Sequence, residues 1–284
     1  MTELPAGAGE VLTRLFDVRD RVALVTGGAS GLGLAIAGVL NACGATVILA
    51  DRDAGALAGA VASLAEPDRA EQAVIDVRDG PAVADLTAGI VAAHGRLDVA
   101  FANAGIARGS APGDPSGEVD RFDLADWTEM LDVNLHGVVH TVRAAAAVMK
   151  PRNSGSIVVT ASTAGLRQDP FVPYSYVVAK AAVINLVRQA ALDLARWQVR
   201  VNAIAPGPFR TGLGGGGPIP PEAAARWNAT VPLGRMGDPA EIRGLALLLA
   251  SSASSFMTGA VYPVDGGQLL QSLPLAPASA IAVK

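Results

Sequence analysis

Short, almost continuously apolar runs alternate along this chain with longer segments rich in alanine and leucine. Such runs are typical of strands buried on both faces of a parallel sheet, because neither face of such a strand meets solvent. The longer segments suffice for helices that connect parallel strands by right-handed crossovers. The pattern predicts an α/β fold, a doubly wound parallel sheet of seven strands with helices on both faces. The strands are expected to begin at Val22, Thr46, Ala73, Asp98, Ser156, Val199 and Ala260, and the main helices to cover residues 31–42, 54–65, 81–93, 125–150 and 174–197.

The alternation continues without a break in composition from about residue 15 to residue 267, which predicts a single domain. Residues 1–14 are expected to form a loose arm. Residues 268–284 are expected to form an extended tail, since they contain two prolines and no charge before Lys284. Two segments rich in glycine and proline, 105–122 and 210–222, are expected to be loops beside a ligand, because ligands bind at the carboxyl ends of the strands in such sheets.

The charge balance limits the possible partners. Lysine and arginine number 22 against 26 acidic residues, the net charge is −4, and only 17% of the residues are charged. Without a dense basic run the chain lacks a surface for nucleic-acid phosphates, so a nucleic-acid partner is not expected. The apolar stretches are interrupted before the roughly 20 residues that a membrane span requires. A single cysteine, Cys43, and the lack of a recognisable secretion signal lead us to expect a cytoplasmic location.

A glycine-rich turn, TGGASGLG at residues 26–33, joins the first strand to the first predicted helix. Glycines at Gly27, Gly31 and Gly33 would let the backbone approach a pyrophosphate, whose charge is favoured at a helix N-terminus. The spacing is wider than the usual G-x-G-x-x-G, and small residues also serve simple packing of a helix on a strand. The position of the turn in the first βα unit favours the nucleotide site.

The second strand ends at Asp51, near the position where an acidic side chain accepts hydrogen bonds from the adenosine ribose. A carboxylate there would repel a 2′-phosphate, which favours NAD over NADP. Arg52 follows directly and could bind that phosphate, but the turn offers no further cation. Asp51 could also cap the next helix, and both roles are compatible.

Tyr176 and Lys180 are four residues apart in a predicted helix and so share one face, with their Cβ atoms about 5–6 Å apart. Lowering the tyrosine pKa from about 10 by three units, which would make it a usable base, needs about 4 kcal/mol. A cation about 4 Å away supplies about that much at an intermediate dielectric. The pair alone is equally typical of an amphipathic helix. Ser162, at the end of the fifth strand, would lie at the same edge of the sheet and favours a catalytic role.

Together the motifs resemble the short-chain dehydrogenase/reductase family, in its shorter common branch, over about residues 15–267. The turn is similar to the family's TGxxxGxG, residues 102–105 resemble its NNAG segment with alanine first, and residues 206–211 resemble its PGxxxT segment. The resemblance implies a Rossmann-type fold and a catalytic set of Asn134, Ser162, Tyr176 and Lys180. It implies that NAD is bound by Gly27, Ser30, Gly31, Leu32, Gly33, Asp51, Arg52, Asp76, Val77, Asn103, Ala104, Gly105, Tyr176, Lys180, Pro206, Gly207 and Thr211.

The implied reaction is hydride transfer between the nicotinamide and a carbinol or carbonyl carbon of a small alcohol or ketone. Tyr176 would exchange the hydroxyl proton, Ser162 would hold the substrate oxygen, and Asn134 would position a water. An NADP-dependent carbonyl reductase and a non-catalytic nucleotide-binding regulator remain the alternatives. Apolar residues near the site favour an apolar or cyclic secondary alcohol; they are Ala164, Leu166, Phe171, Phe209 and Leu213. Three arginines leave room for a carboxylate on the substrate; they are Arg108, Arg167 and Arg210.

Three further expectations concern the rest of the chain. Pro208 departs from the family pattern because proline has no N–H to offer the carboxamide, so Thr211 would carry more of that contact. No metal is expected, since His136 and His140 have helical spacing but lack a third ligand. The resemblance implies a homotetramer paired through the helices at 125–150 and 174–197, with the tail after Leu269 packed on a neighbouring subunit.

Overall fold

The computed structural model describes residues 7–213 and 219–270. Within them, seven parallel strands form one sheet in the order β3-β2-β1-β4-β5-β6-β7, so the chain winds outwards twice from β1 and β4. The seven-stranded, doubly wound fold predicted from the apolar runs is confirmed. The strands are β1 Val22–Thr26, β2 Thr46–Asp51, β3 Ala70–Val74, β4 Val99–Ala102, β5 Gly155–Thr160, β6 Val199–Pro206 and β7 Val261–Val264.

Helices cover both faces of the sheet. One apolar core packs α4, α6 and α7 on the first face, and a second core packs α2, α3 and α9 on the opposite face. The central strands are buried throughout, as their apolar sequences require. The helices of the described residues are α1 Ala8–Leu15, α2 Gly31–Ala42, α3 Ala54–Ala62, α4 Gly80–His94, α5 Leu124–Leu131, α6 Gly137–Met149, α7 Tyr174–Leu194, α8 Pro221–Ala229 and α9 Arg243–Ala250.

Several elements differ from the sequence prediction; the helices predicted to end at 65 and 197 end at Ala62 and Leu194. The third strand begins at Ala70 instead of Ala73, because it lies at the sheet edge and carries exposed polar residues that hide its apolar pattern. The helix predicted over residues 125–150 is not a regular α-helix: a π-helical segment, Asp132–His136, separates α5 from α6. Its residues have ordinary helical composition, so the sequence alone does not reveal the wider turn.

The ends of the chain are described only in part. Helix α1 begins within residues 1–14, which were expected to be a loose arm, and its last residue Leu15 accepts a hydrogen bond from Ser252 Oγ at 3.1 Å. Most of the expected tail, from residue 271 on, and residues 214–218 of the second glycine-rich loop lie outside the described residues. In the described part of the chain, no helix combines the length and apolar character needed to cross a bilayer.

Candidate active site

One large cavity, of about 890 Å³, opens at the carboxyl ends of the strands. Because those ends meet at one edge of a parallel sheet, loops that are far apart in sequence contribute to the same wall. The residues predicted for the site all line this cavity: Gly27, Ser30, Gly31, Leu32, Gly33, Asp51, Arg52, Asp76, Val77, Asn103, Ala104, Gly105, Asn134, Ser162, Ala164, Phe171, Tyr176, Lys180, Pro206, Gly207, Phe209, Thr211 and Leu213.

The glycine turn has the geometry of an anion cradle. Gly31, the first residue of α2, has a φ of +54°, and a Cβ there would lie 3.4 Å from Thr211 Cβ. A Cβ at Gly27 would lie 2.8 Å from the backbone of Ala104. The side chain of the N-cap residue Ser30 makes no capping hydrogen bond within the described residues. The first N–H groups of α2 therefore face the cavity and are available to a ligand. These features fit the pyrophosphate of a dinucleotide.

The acidic end of the cavity lies at β2 and β3. Asp51 accepts hydrogen bonds from the backbone N–H groups of Ala29 and Asp53, each at 3.2 Å. The cap of α3 is Asp53, whose side chain accepts from Ala56 N, so the capping role considered for Asp51 is wrong. Beside it, the hydrogen bonds from the Arg78 guanidinium lower the pKa of Asp76. An acidic group at the end of β2 fits a ribose with free hydroxyls.

Asn103 joins three strands beneath the cavity floor. Its Nδ2 donates to Thr26 O at 3.1 Å, its N–H donates to Thr26 Oγ1 at 3.0 Å, and its Oδ1 accepts from Thr160 Oγ1 at 2.9 Å. The side chain is therefore committed to β1 and β5, and it fixes the backbone of Ala104 and Gly105 at the cavity surface. The supporting roles of Thr26 and Thr160 carry no signal in the sequence, since they arise from strands that are distant along the chain.

Tyr176 and Ser162 meet at the inner end of the cavity. Tyr176 lies in the first turn of α7 and is 9% exposed, and Ser162 follows β5 and is 8% exposed. Burial raises the pKa of the Tyr176 phenol, a hydrogen bond with Ser162 opposes this rise, and the nearby carboxyl group of Asp169 adds to it. Ser162 Oγ also accepts from Ala164 N at 3.1 Å, which fixes its position.

Lys180 stands one turn further along α7, on the same face as predicted. Its Nζ lies 5.6 Å from the centre of the Tyr176 ring and donates to Thr160 O at 2.8 Å. Burial lowers the pKa of Lys180 to about 8.

Asn134 lies in the π-helical segment and is fully buried. Its Oδ1 accepts from Ile106 N at 3.0 Å, and its Nδ2 donates to Ile106 O at 2.9 Å. The amide thus clamps the loop that follows β4. A Cβ at Gly105 would lie 2.8 Å from Asn134 Oδ1 and 3.8 Å from Lys180 Nζ, so glycine is needed where the loop passes between them.

The wall expected to contact substrate is mainly apolar. Phe171 packs edge-on against Trp227 with ring centres 5.3 Å apart, and both line the cavity. Ala164 is buried against Tyr176, and Phe209 packs into the core beside Gly237. Leu213 is half exposed at the rim. Leu166, in contrast, is exposed and does not line the cavity. It follows the turn after β5, which directs it outwards.

Among the cavity residues that sequence reasoning missed are two buried polar side chains, Asp169 and Gln268. Asp169 is a buried acid, 7% exposed, on the loop between β5 and α7. Gln268 is fully buried, accepts from Thr163 Oγ1 at 2.9 Å and donates to Thr230 Oγ1 at 3.2 Å. Asp169 precedes a proline in a loop, where an acid is normally exposed, so only the folded structure reveals its burial.

Comparisons with known proteins agree with this geometry. A family model described as enoyl-(acyl carrier protein) reductase matches residues 27–268. The cis-4-hydroxycyclohexanecarboxylate dehydrogenase of Sinomonas cyclohexanicum is 40% identical, over 87% of this chain and 96% of its own. The cyclohexanol dehydrogenase of Rhodococcus sp. (strain TK6) is 37% identical, over 90% and 98%. The crystal structure of a short-chain type dehydrogenase/reductase from Mycobacterium marinum superimposes with a TM-score of 0.83 at 34% identity, over 92% of this chain and all of its own. The chain belongs to the short-chain dehydrogenase/reductase family, oxidoreductases that act on alcohols with a nicotinamide cofactor, NAD or NADP.

Proposed function

We propose that this protein is an NAD-dependent dehydrogenase that oxidises a secondary alcohol to a ketone, with Tyr176 as the acid/base. The observation that carries the proposal is the convergence of Ser162, Tyr176, Lys180 and Asn134 at the inner end of one cavity, with the glycine turn and Asp51 at its other end. A dinucleotide requires both a redox end and an acidic nucleotide end in one cavity.

In the proposed reaction the substrate loses two hydrogens. A nicotinamide cofactor held by the glycine turn and Asp51 would supply the acceptor for the hydride that leaves the carbinol carbon. Tyr176, as the phenolate, takes the hydroxyl proton, so that the C–O bond becomes a carbonyl and the tyrosine becomes neutral. Ser162 donates a hydrogen bond to the substrate oxygen. Lys180 holds the ribose hydroxyls, and the Asn134 clamp keeps the loop after β4 in place while the proton passes on to solvent.

The choice of NAD rests on Asp51. Its carboxyl group ends β2 within the cavity and is held by two backbone N–H groups, so it cannot swing away from a 2′-phosphate without losing both hydrogen bonds. Arg52 also lines the cavity and is the feature that favours the alternative, an NADP-dependent carbonyl reductase. In this family NAD suits oxidation of an alcohol and NADPH suits reduction of a ketone, so the cofactor choice also sets the direction.

The apolar wall supports an apolar or cyclic alcohol. Phe171 and Trp227 present aromatic surface to the cavity that Tyr176 also lines, which suits a saturated ring. Two of the relatives are named for cyclohexane-ring alcohols, and we extend that substrate class to this chain. We also propose a homotetramer, on the resemblance to the family and on the apolar residues exposed along α7.

The test is NADH formation from NAD with a panel of cyclic and open-chain secondary alcohols. Tyr176→Phe removes the proton acceptor and keeps the ring, so we expect kcat to fall about a hundredfold to ten-thousandfold. Tyr174→Phe, at an exposed tyrosine two residues earlier, serves as the matched control. Turnover by Tyr176→Phe equal to that of the wild type would rule out the proposed base. A clear preference of the wild type for NADPH would favour the reductase. If no alcohol is turned over with either cofactor, the nucleotide-binding regulator is favoured.

A further inference from the structure

Asp169 places a buried carboxyl group at the substrate end of the cavity. The residue is 7% exposed and lines the cavity together with Phe171, whose N–H donates to Asp169 Oδ1 at 2.9 Å. Among the described residues, no second hydrogen bond reaches this carboxyl group. Buried polar atoms in native structures almost always have partners, so Oδ2 is available to a donor that enters the cavity.

Asp169 is the charged group on the part of the cavity wall that also includes Phe171, Val172 and Trp227. The Arg226 guanidinium stacks on the Phe171 ring at 4.8 Å and is not among the residues that line the cavity. Of the three arginines that left room for a carboxylate, Arg108 alone lines the cavity, and its guanidinium lies 3.5 Å from Glu129. Arg210 pairs with Asp238 at 3.0 Å. A carboxylate on the substrate would therefore meet a like charge.

We propose that Asp169 accepts a hydrogen bond through Oδ2 from a second hydroxyl group of the substrate, so that the enzyme prefers diols or polyols to simple alcohols. The inference rests on the proposed oxidation of a secondary alcohol and names the class of substrate for that same site. A diol places one hydroxyl group at Tyr176 and Ser162 and the other at Asp169. A simple alcohol of the same size leaves Oδ2 desolvated and without a partner.

The discrimination should be large because the acceptor is buried. Sites built to hydrogen-bond a substrate hydroxyl reject analogues that lack it far more strongly than apolar pockets reject an extra group. We expect kcat/KM for the best cyclohexanediol isomer to exceed that for cyclohexanol by at least tenfold. The ratio is the informative quantity, because any effect of Asp169 on the protonation of Tyr176 acts on both substrates alike and cancels.

The experiment measures this ratio in the wild type and in two variants. Asp169→Leu removes the acceptor, and we expect the diol preference to fall at least tenfold. Asp169→Asn keeps the hydrogen bond from Phe171 N and guards against a folding defect; we expect a smaller fall, since a neutral amide is a weaker acceptor than a carboxylate. Asp85→Asn, at an exposed acid on α4, is the control and should leave the ratio unchanged.

Three results would overturn the inference while leaving the alcohol dehydrogenase intact. The first is equal turnover of cyclohexanol and all diol isomers by the wild type. The second is an equal loss of kcat/KM for both substrates in the two Asp169 variants. The third is a preference for an aminocyclohexanol, which would assign the site to a cationic donor. If the wild type oxidises none of these alcohols, both the inference and the proposed function fail. A diol preference that falls in the order wild type, Asp169→Asn, Asp169→Leu supports the inference.

Discussion

In the proposed mechanism, Lys180 decides at which pH Tyr176 can act. Alcohol oxidation needs the phenolate, so kcat/KM should rise with pH as Tyr176 ionises. Because burial lowers the pKa of Lys180 to about 8, its positive charge is present below that pH and is lost above it. A unit charge at about 5–6 Å stabilises the phenolate by about 3 kcal/mol at an effective dielectric near 20. We therefore expect a wild-type profile that rises and then turns down near pH 8.

Replacing the cation tests this assignment. In Lys180→Met the downturn should disappear and the rising limb should move to more alkaline pH by one unit or more, about 1.4 kcal/mol per unit. Lys150→Met is the control. Lys150 pairs with Asp193 at 3.9 Å at the other end of the helical layer, so this variant should keep the wild-type profile. If Lys180→Met lowers the rate at every pH by the same factor, Lys180 acts by holding the cofactor and not through the tyrosine.

Residues that belong to a contiguous motif could be predicted, and residues that depend on distant contacts could not. The spacing of Tyr176 and Lys180 fixes their shared face whatever the fold. By contrast, Asp169 and Gln268 gain their burial from loops that meet only in the folded chain. The lowered pKa of Lys180 was likewise unpredictable, because it comes from a burial that only the folded chain creates.

At the scale of elements, the join between β1 and α2 sets how closely a cofactor can approach. Gly31→Ala places a Cβ at a φ of +54°, which costs about 1–2 kcal/mol for an L-residue, and directs it towards Thr211. We expect the Kd for NADH, measured by fluorescence titration, to rise at least tenfold. Gly38→Ala in the same helix is the matched control, since its nearest contact would be an ordinary 3.9 Å to Leu64.

Thermal unfolding separates the two possible effects of this change. Gly38→Ala should bind NADH as the wild type does and unfold at a slightly higher temperature, because alanine in a helix interior is favoured over glycine by about 0.5–1 kcal/mol. Gly31→Ala should unfold at a lower temperature. Wild-type affinity for NADH in a folded Gly31→Ala protein would show that the turn does not carry the pyrophosphate.

Elements were predictable where their burial pattern is uniform. Central strands such as β4 and β5 are buried on both faces, and their cores, residues 99–102 and 157–159, are continuously apolar. The edge strand β3 contains Glu71 and Gln72 on exposed positions, so the apolar run marks only its last residues. The π-helical segment is set by tertiary contacts, among them the clamp between Asn134 and Ile106, and no local pattern specifies it.

For the whole molecule, the low charge fraction found in the sequence has a structural counterpart. With 17% charged residues, the chain leaves apolar side chains on its surface, and several of them lie on α7. Val178 is 44% exposed and Leu192 is 75% exposed. Ala181 and Asn185 are exposed between them at helical spacing, so these four residues form one face of the helix. This is the face through which the proposed tetramer would pair.

Leu192→Glu tests the assembly at that face. A buried charge without a partner costs several kcal/mol, and a symmetric contact places it twice in each interface. We expect light scattering to report a tetramer for the wild type and a smaller species for Leu192→Glu at micromolar concentration. Ala58→Glu, exposed on α3 across the sheet from α7, should remain tetrameric. A monomeric wild type would exclude α7 as the contact. A Leu192→Glu protein that assembles as the wild type does would also exclude it, because a stable interface of about 800 Å² per partner does not tolerate an unpaired charge at its centre.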